Sequence, residues 1–295
     1  MTALRRLGSN LPLLVGGLIV VAILFVAIFH PWLSPYGPEQ MDMRNRLALP
    51  SAAHWLGTDN FGRDLWTRLA HGAAISLSIA LGSVAVAAAI GTLVGLVCGY
   101  HGGWLDLILM RIVDLFLGFP ALILAMALVA VLGPGAVNVA IALVAVFWTE
   151  FARVVRAAVM AERQRDYVRS ALALGASDAR VILVHILPNT LGPIVVLATL
   201  AIGTAIVAES GLSFLGFGVQ PPAPTWGWTL AYGMRFLRSD PWLCTVAGLA
   251  IMITVLGFNL LGDGLRDLLD PRGMTRRGEG ATPAAGPDSS SGRAS

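Results

Sequence analysis

The chain contains no lysine: all 20 of its basic residues are arginine. A phosphate-binding P-loop needs a lysine to reach the nucleotide phosphates, and an enzyme that works through a Schiff base needs a lysine amine. Both chemistries are therefore excluded for this chain. If ATP powers its function, another subunit must bind the nucleotide.

Charged residues of either sign are also scarce. They make up 13% of the 295 residues, whereas 56% are hydrophobic and the mean hydropathy is +0.76. Soluble domains carry about 25% charged residues, so we expect the lipid bilayer to be the solvent for most of the chain. The pI near 9.3 fits arginines that flank membrane spans. No basic patch interleaved with aromatic residues indicates nucleic-acid binding.

Cysteine is nearly absent as well. Cys98 and Cys244 both lie in apolar runs, without a histidine cluster or metal-ligand spacing. We expect two ordinary thiols and no metal site. The topology given below places them near opposite membrane faces, and a disulfide requires Cα atoms within about 7 Å, so we expect them to stay unpaired.

Six apolar segments are long enough to cross about 30 Å of hydrocarbon. They are approximately residues 11–29, 73–100, 105–132, 136–151, 190–210 and 243–262. The first follows Arg5 and Arg6 but has no cleavage site after it, so it is predicted to remain as a signal anchor. The predicted fold class is an all-α polytopic membrane protein with six transmembrane helices.

The arginine distribution predicts the orientation. Thirteen arginines fall in the N-terminal segment, in 153–180 and beyond residue 265, against six in the loops on the other side. The positive-inside rule then places both termini in the cytosol. The predicted regions are 1–30 (N-terminus and first helix), 31–72 (extracytoplasmic loop), 73–265 (transmembrane core) and 266–295 (cytosolic, largely disordered tail). A second outer loop, 215–241, holds Trp226 and Trp228, which with Trp242 suit the membrane–water boundary.

The cytosolic stretch 153–188 is too long for a simple connection. Its apolar positions at i, i+3, i+4 and i+7 are Val168, Ala171, Leu172 and Gly175. This spacing predicts a short helix that Gly175 ends in the left-handed conformation. Ser177 is placed to cap a second helix, and Pro188 to begin the fifth span. Two helices folded over a turn can dock into a groove on a soluble partner; a helix lying on the lipid surface fits the periodicity equally well.

The same stretch resembles a known family signature. Residues 167–177 read YVRSALALGAS and 185–189 read HILPN. ABC importer permeases carry Glu-Ala-Ala, three residues, Gly, nine residues and Ile-x-Leu-Pro in their cytosolic coupling loop. The positions that match are Ala171, Gly175, Leu187 and Pro188. Arg169 and Ser170 replace the usual Glu-Ala, which reverses a charge, and His185 takes the isoleucine position.

Four other stretches resemble peptide-importer permeases in particular. They are WLGTDNFGRD at 55–64, GLSFLG at 211–216, VQPP at 219–222 and FNLLGDGLRD at 258–267. The resemblance covers about residues 5–272 and is specific for the C-type subunit of dipeptide/oligopeptide importers. It separates peptide carriers less well from nickel or glutathione carriers.

The resemblance implies a type I ABC importer permease of the bacterial cytoplasmic membrane, working by alternating access. Its implied partners are a B-type sister permease, two cytosolic ATPases that bind ATP and Mg²⁺, an extracytoplasmic substrate-binding protein and membrane lipid. This chain would bind no cofactor and catalyse no reaction. The residues that it assigns to ATPase coupling are Tyr167, Arg169, Ser170, Ala171, Leu172, Gly175, Ala176, Ser177, His185 and Pro188.

A few ionisable residues lie in or beside the apolar segments, where charge is costly and marks candidate functional sites. Arg111 and Asp114 are spaced i, i+3 and are expected to neutralise each other. Glu150 is expected at the interfacial end of the fourth span. Glu209, near the outer end of the fifth span, is a candidate for the translocation pathway; bonding to backbone amides of the outer loop is the alternative. Gly118-Phe119-Pro120 predicts a kink.

Two other functions compete with the importer. An intramembrane serine protease would use Ser213 of Gly211-Leu212-Ser213, but it needs a histidine base within hydrogen-bond reach, and none of the five histidines falls in mid-membrane. A secondary transporter or channel would not need the docking loop, and no inverted repeat of interrupted helices is evident. Co-purification with an ATPase would separate these alternatives.

The topology makes a direct prediction about labelling. Residues 31–72 and 215–241 should face outward and meet the binding protein. Single cysteines placed at Asn60 and Thr225 should therefore react with a membrane-impermeant thiol reagent in intact cells. Reaction only after the cells are broken open would mean that the orientation is inverted.

Overall fold

The computed structural model describes residues 10–269, and these residues form nine longer helices, a short 3₁₀ helix at Met43–Asn45 and no β-strand. The helices are α1 Leu11–Leu33, α2 Leu65–His101, α3 Gly103–Leu117, α4 Ala121–Leu132, α5 Ala136–Arg163, α6 Asp166–Ala173, α7 Asp178–Phe214, α8 Trp226–Arg235 and α9 Pro241–Leu269. The predicted all-α class is confirmed. Arg5, Arg6 and the predicted disordered tail beyond residue 269 lie outside the described residues.

Five of these helices are each long and apolar enough to cross a membrane, namely α1, α2, α5, α7 and α9. The predicted third span, 105–132, is not one continuous helix. It consists of α3 and α4, which meet at an angle of 89°. The bend lies at Gly118-Phe119-Pro120, where the proline ring and missing N–H prevent the helix from continuing. A kink was predicted there, and the structure has a near right angle.

Several helices extend beyond the apolar segments that predicted them. α2 begins at Leu65 because the Asp64 carboxylate accepts a hydrogen bond of 2.8 Å from the Thr67 amide, so residues 65–72 of the predicted outer loop are helical. α5 continues to Arg163, which places Glu150 in mid-helix rather than at its end. Hydropathy marks only the part of a helix that suits hydrocarbon, and polar turns prolong it.

The spans have two distinguishable ends. The loop end carries residues 34–64, where α1 stops and α2 begins: the Trp66 indole donates to the Leu33 carbonyl at 3.0 Å. The hairpin end carries α6, between α5 and α7. Cys98 lies near the hairpin end of α2 and Cys244 near the loop end of α9, and both thiols are free. The two thiols thus lie at opposite ends of the spans, and that they never pair stays a prediction.

A stripe of glycines on α2 lies in the most extensive helix–helix contact among the described residues. Gly91, Gly95 and Gly99 are spaced four residues apart and face α5. A methyl group added at Gly95 would lie 2.7 Å from the Val155 Cβ atom and 2.8 Å from the Ala152 carbonyl oxygen. Small residues at this spacing allow two membrane helices to approach backbone to backbone. The interior is therefore built around the α2–α5 pair.

The second outer segment is part of this interior rather than a surface loop. α8 packs on α9 and α7, and the Trp226 indole is buried, donating to the Leu69 carbonyl at 3.0 Å. Its predicted place at the membrane–water boundary is wrong, because the ring fills the space beside Gly72. Thr225 is fully buried and caps α8, so the exposed Gln220 is the better labelling position.

The predicted Arg111–Asp114 pair does not form. Asp114 instead pairs with Arg153 of α5 at 2.6 Å, and Asp106 receives two hydrogen bonds from Arg156, of 2.5 and 2.6 Å. Bidentate and interhelical geometry is available to these two arginines of α5, and Arg153 rather than Arg111 takes the Asp114 carboxylate. Both α3 carboxylates therefore tie α3 to α5.

The glycine stripe yields a prediction about stability. Gly95→Ala should lower the melting temperature of the detergent-solubilised protein, because the added methyl group overlaps backbone atoms of α5 that cannot move independently. Overpacking of this kind costs about 1–3 kcal/mol.

Gly82→Ala is the matched control, since Gly82 also lies in α2 and nothing is within 4 Å of an added methyl group. That variant should melt at the same temperature or higher, because alanine favours a helix over glycine by up to about 1 kcal/mol. Equal melting temperatures for the two variants would show that the α2–α5 contact is looser than described.

Candidate functional site

The candidate site is the helical hairpin at one end of the spans, formed by α6, the turn at residues 174–177 and the first turns of α7. It follows α5 directly and has its own small hydrophobic cluster. The buried members of this cluster are Leu96, Tyr100, Val155, Val159, Val168, Val181, Ile186 and Ile194. They come from α2, α5, α6 and α7, so the hairpin is packed against three long helices.

The hairpin turn is a Schellman motif. The Gly175 amide donates to the Leu172 carbonyl at 3.0 Å, and the Ala176 amide donates to the Ala171 carbonyl at 3.1 Å. This bonding requires a left-handed residue after the helix, and Gly175 has φ +83°. The predicted helix end at Gly175 is confirmed. Ala171 and Ala176 pack together against the cluster, which is the apolar contact that accompanies such a turn.

One detail of the predicted hairpin is different: Ser177 stands at the N-cap position of α7, but its side chain caps no amide. Pro188 lies in the first turn of the α-helix Leu187–Phe214, as predicted. This α-helix forms the long part of α7, which begins at Asp178. Residues 181–186 form a π-helical segment just before Pro188. The wider turn relieves the clash that a proline ring causes with the preceding turn.

Polar contacts fix the hairpin to its neighbours. The Tyr167 hydroxyl donates to Glu162 at the end of α5 and accepts from the Asn189 amide at 3.1 Å. Asn189 also donates to the His185 carbonyl at 2.7 Å. Burial and the hydrogen bond to Glu162 raise the pKa of Tyr167 to about 12. The phenol therefore keeps its proton, and this bond, throughout the physiological pH range.

A second anchor joins the hairpin to α2. The Tyr100 hydroxyl donates to the Asp178 carboxylate at 2.5 Å, and the Arg163 guanidinium lies 5.3 Å from the centre of the Tyr100 ring. Neither Tyr100 nor Asn189 was among the predicted site residues. The sequence neighbours of Tyr100 are ordinary span residues, and only the fold brings it to the hairpin. Asn189 directly follows Pro188 in the HILPN run, but its bond to Tyr167 is visible only in the structure.

The outward side of the hairpin carries the remaining predicted residues. Arg169, Ser170 and Gly175 are exposed, and Leu172 is 40% exposed. Beside them, Leu174 is 88% exposed, the largest exposure of a large apolar side chain in the described part of the chain. Leu174 was missed because it falls outside the i, i+3, i+4 pattern of the helix face. Leu174 follows the last residue of α6, and the turn there directs its side chain away from the protein.

Glu209, the pathway candidate, is fully buried between α7 and its neighbours. The Ser213 hydroxyl donates to its carboxylate at 2.8 Å, and Ser210 lies at 3.5 Å. Hydroxyl groups, not backbone amides of the outer loop, are therefore its partners. In this conformation the carboxylate reaches no surface, and its pathway role stays a prediction. The same bond engages Ser213 with a carboxylate rather than a histidine, which gives no support to a serine protease.

These features define the class of the protein. Five or six apolar spans with a helical hairpin at one end are the architecture of a polytopic membrane permease subunit. Residues 91–274 match the family described as binding-protein-dependent transport system inner membrane component. Residues 2–50 match the N-terminal transmembrane domain of oligopeptide transport permease C.

The chain belongs to the family of binding-protein-dependent transport system inner membrane components, which are ABC importer permeases. It is 44% identical over 270 residues to a dipeptide transport system permease protein of Alkalihalophilus pseudofirmus, covering 92% of this chain and 89% of that protein. A di/tripeptide permease protein of Pseudomonas aeruginosa is 43% identical, with 87% of each chain covered. A glutathione permease protein of Escherichia coli is 45% identical, with 91% and 89% covered. The chain is thus a multi-pass protein of the bacterial inner membrane.

The hairpin turn yields a prediction. Gly175→Val places a β-branched residue at positive φ, at a strain of about 1–3 kcal/mol. An added Cβ atom meets nothing within 4 Å, so backbone strain is the only cost. We expect the protein to insert at a near-normal level but to lose most ATPase association and uptake, since about 1.4 kcal/mol is a tenfold change in binding.

The measurements are the amount of permease in membranes, ATPase co-purification and uptake. Gly216→Val is the control, because Gly216 also has positive φ (+90°) with open space around it but lies at the loop end. It should leave ATPase association unchanged. Normal transport by Gly175→Val with its ATPases attached would show that this loop is not the coupling element.

Proposed function

We propose that the chain is a transmembrane subunit of an ATP-driven importer for dipeptides and other short peptides, and that the hairpin couples it to cytosolic ATPases. The observation that carries the coupling role is Leu174, 88% exposed at the tip of a hairpin that is otherwise firmly anchored. A single apolar anchor on a preorganised turn suits insertion into a groove of a partner protein.

The competing role for α6, lying on the lipid surface, has less support. A surface-bound helix needs a broad apolar face toward the lipid. The fully buried Val168 of α6 points into the protein's own cluster, and Arg169 and Ser170 are exposed. What remains outward is a small patch formed by Leu172 and Leu174 beside polar groups. Such a patch fits a protein groove better than a membrane.

Movement of the hairpin would reach the spans through rigid connections. α7 begins inside the hairpin and continues as the 28-residue α-helix Leu187–Phe214, which is about 42 Å long at 1.5 Å per residue. The Tyr100–Asp178 bond links the same point to α2. Closure of the ATPases on ATP would therefore tilt α2 and α7 together, which is the motion that alternating access requires. A channel or secondary transporter has no use for this arrangement.

The relatives support the proposed substrate class. Their names specify dipeptides, di- and tripeptides, and glutathione, all of which are short peptides with charged ends. The lack of lysine in this chain leaves ATP and Mg²⁺ to the partner ATPases. The remaining partners are a sister permease and a substrate-binding protein that meets the loop end, with the hairpin end in the cytosol.

Leu174 gives the sharpest test. Leu174→Asp should reduce co-purification of the ATPases by tenfold or more, since truncating a central interface anchor costs about 2 kcal/mol or above. The level of the permease in the membrane should not change. The Leu174 side chain is 88% exposed, so its replacement removes little packing inside the protein.

The matched control is Leu49→Asp, which alters a leucine that is 74% exposed at the loop end. It should leave ATPase association intact. Retention of the ATPases by Leu174→Asp would remove the proposed docking contact, and uptake of labelled dipeptide or glutathione by the intact complex would separately decide the substrate.

A further inference from the structure

A cleft between α3 and α5 at the hairpin end has no part in the function proposed above. Its volume is about 400 Å³, and its lining is unusually rich in charge. The lining residues are Asp106, Leu107, Met110, Arg111, Asp114, Arg153 and Arg156. Three guanidinium groups thus meet two carboxylates, and the cleft carries an excess positive charge.

The two carboxylates are already used. Arg156 holds Asp106 through two hydrogen bonds, and Arg153 pairs with Asp114 at 2.6 Å. Within residues 10–269 Arg111 makes no ion pair, although its guanidinium has five N–H donors. Arg153 is 57% exposed and bonds Asp114 through one nitrogen, so it has further donors on the open side. An anion in this cleft would meet two arginines.

These pairs also fix how α3 lies. Asp106 and Asp114 are about 12 Å apart along α3, whereas Arg156 and Arg153 are only about 4.5 Å apart along α5, at 1.5 Å per residue. The Phe116 ring also contacts the Trp148 ring of α5, with the two centroids 5.8 Å apart, so α3 is held to α5 over most of its length. The break to α4, at an angle of 89°, follows directly after these contacts.

The outward face of α3 is apolar, and Arg111 lies within it. Trp104, Ile108, Arg111 and Leu115 are spaced i, i+4, i+7 and i+11, which is one face of a helix. Trp104 is 75% exposed and Leu115 is 64% exposed. Tryptophan marks the membrane–water boundary. An arginine on a lipid-facing surface at that depth extends toward the headgroups, and basic pockets between membrane helices bind acidic headgroups.

We propose that this cleft binds the phosphate of an acidic phospholipid, with Arg111 and Arg153 on the phosphate and the acyl chains along the apolar face of α3. Arg111 supplies the free charge, and Arg153 adds donors without leaving Asp114. The bound lipid would wedge α3 against α5, beside the helix that leads into the hairpin. The proposal does not depend on which substrate the protein carries.

The test uses the full-length protein in detergent, with native mass spectrometry and melting temperature as readouts. Phosphatidylglycerol should remain bound and raise the melting temperature, while phosphatidylcholine should do so much less. Arg111→Gln should weaken phosphatidylglycerol binding about five- to tenfold, the factor expected from about 1 kcal/mol or slightly more per arginine at a membrane surface. Arg111→Lys should restore most of the binding, because it restores the charge.

Arg266→Gln is the matched control, since Arg266 is exposed at the same end of the protein but outside the cleft. It should bind phosphatidylglycerol like the unaltered chain. Equal binding of the two lipids, or equal losses in Arg111→Gln and Arg266→Gln, would overturn the site. Stabilisation by inorganic phosphate that needs Arg111, without an effect of phosphatidylglycerol, would overturn the lipid assignment and leave a soluble phosphate as the ligand.

Discussion

The close contact between α2 and α5 is the constraint on which the rest of the structure depends. The glycines at 91, 95 and 99 bring α5 so near that a methyl group at Gly99 would lie 2.8 Å from the Arg156 carbonyl oxygen. In hydrocarbon no hydrophobic effect draws two apolar helices together, so packing of this kind must supply the association. The contact runs to the hairpin end of α2. There it fixes the positions of Val155 and Val159, which support the hairpin. It also fixes the positions of Arg153 and Arg156, which bind the two carboxylates of α3.

Two hydrophobic clusters follow from this arrangement. The large one fills the spans, and the small one lies under the hairpin. α2, α5 and α7 contribute residues to both, for example Leu77 and Leu96 on α2. A close-packed interior deforms little, so a displacement of the hairpin cannot be absorbed where it occurs. Under the proposed coupling, it would pass along these three helices as a common tilt.

The sequence predicted the parts of the fold that depend on local chemistry. Hydropathy identified the spans, because each span must be apolar over the thickness of the hydrocarbon. The left-handed Gly175 was identified because helices commonly end in a glycine of this conformation. It did not predict that 105–132 breaks at a right angle, or that Trp226 is interior, since both depend on which helices meet. The predicted Arg111–Asp114 ion pair does not form for the same reason. Spacing along one helix identifies only partners on that helix, whereas the partner of Asp114 lies on α5.

The sequence identifies the residues that shape the hairpin turn but not the residue that the turn exposes. Its signature positions are those that shape the turn, and Ala171, Gly175 and Ala176 do so through backbone bonds and one small apolar contact. The group best placed to make contact, Leu174, belongs to no periodic pattern. Its exposure results from the turn, since the residue before a left-handed glycine is carried off the buried face. The turn-forming residues thus determine the position of an anchor that periodicity alone does not identify, and the anchor is recognised only once the burial of its neighbours is known.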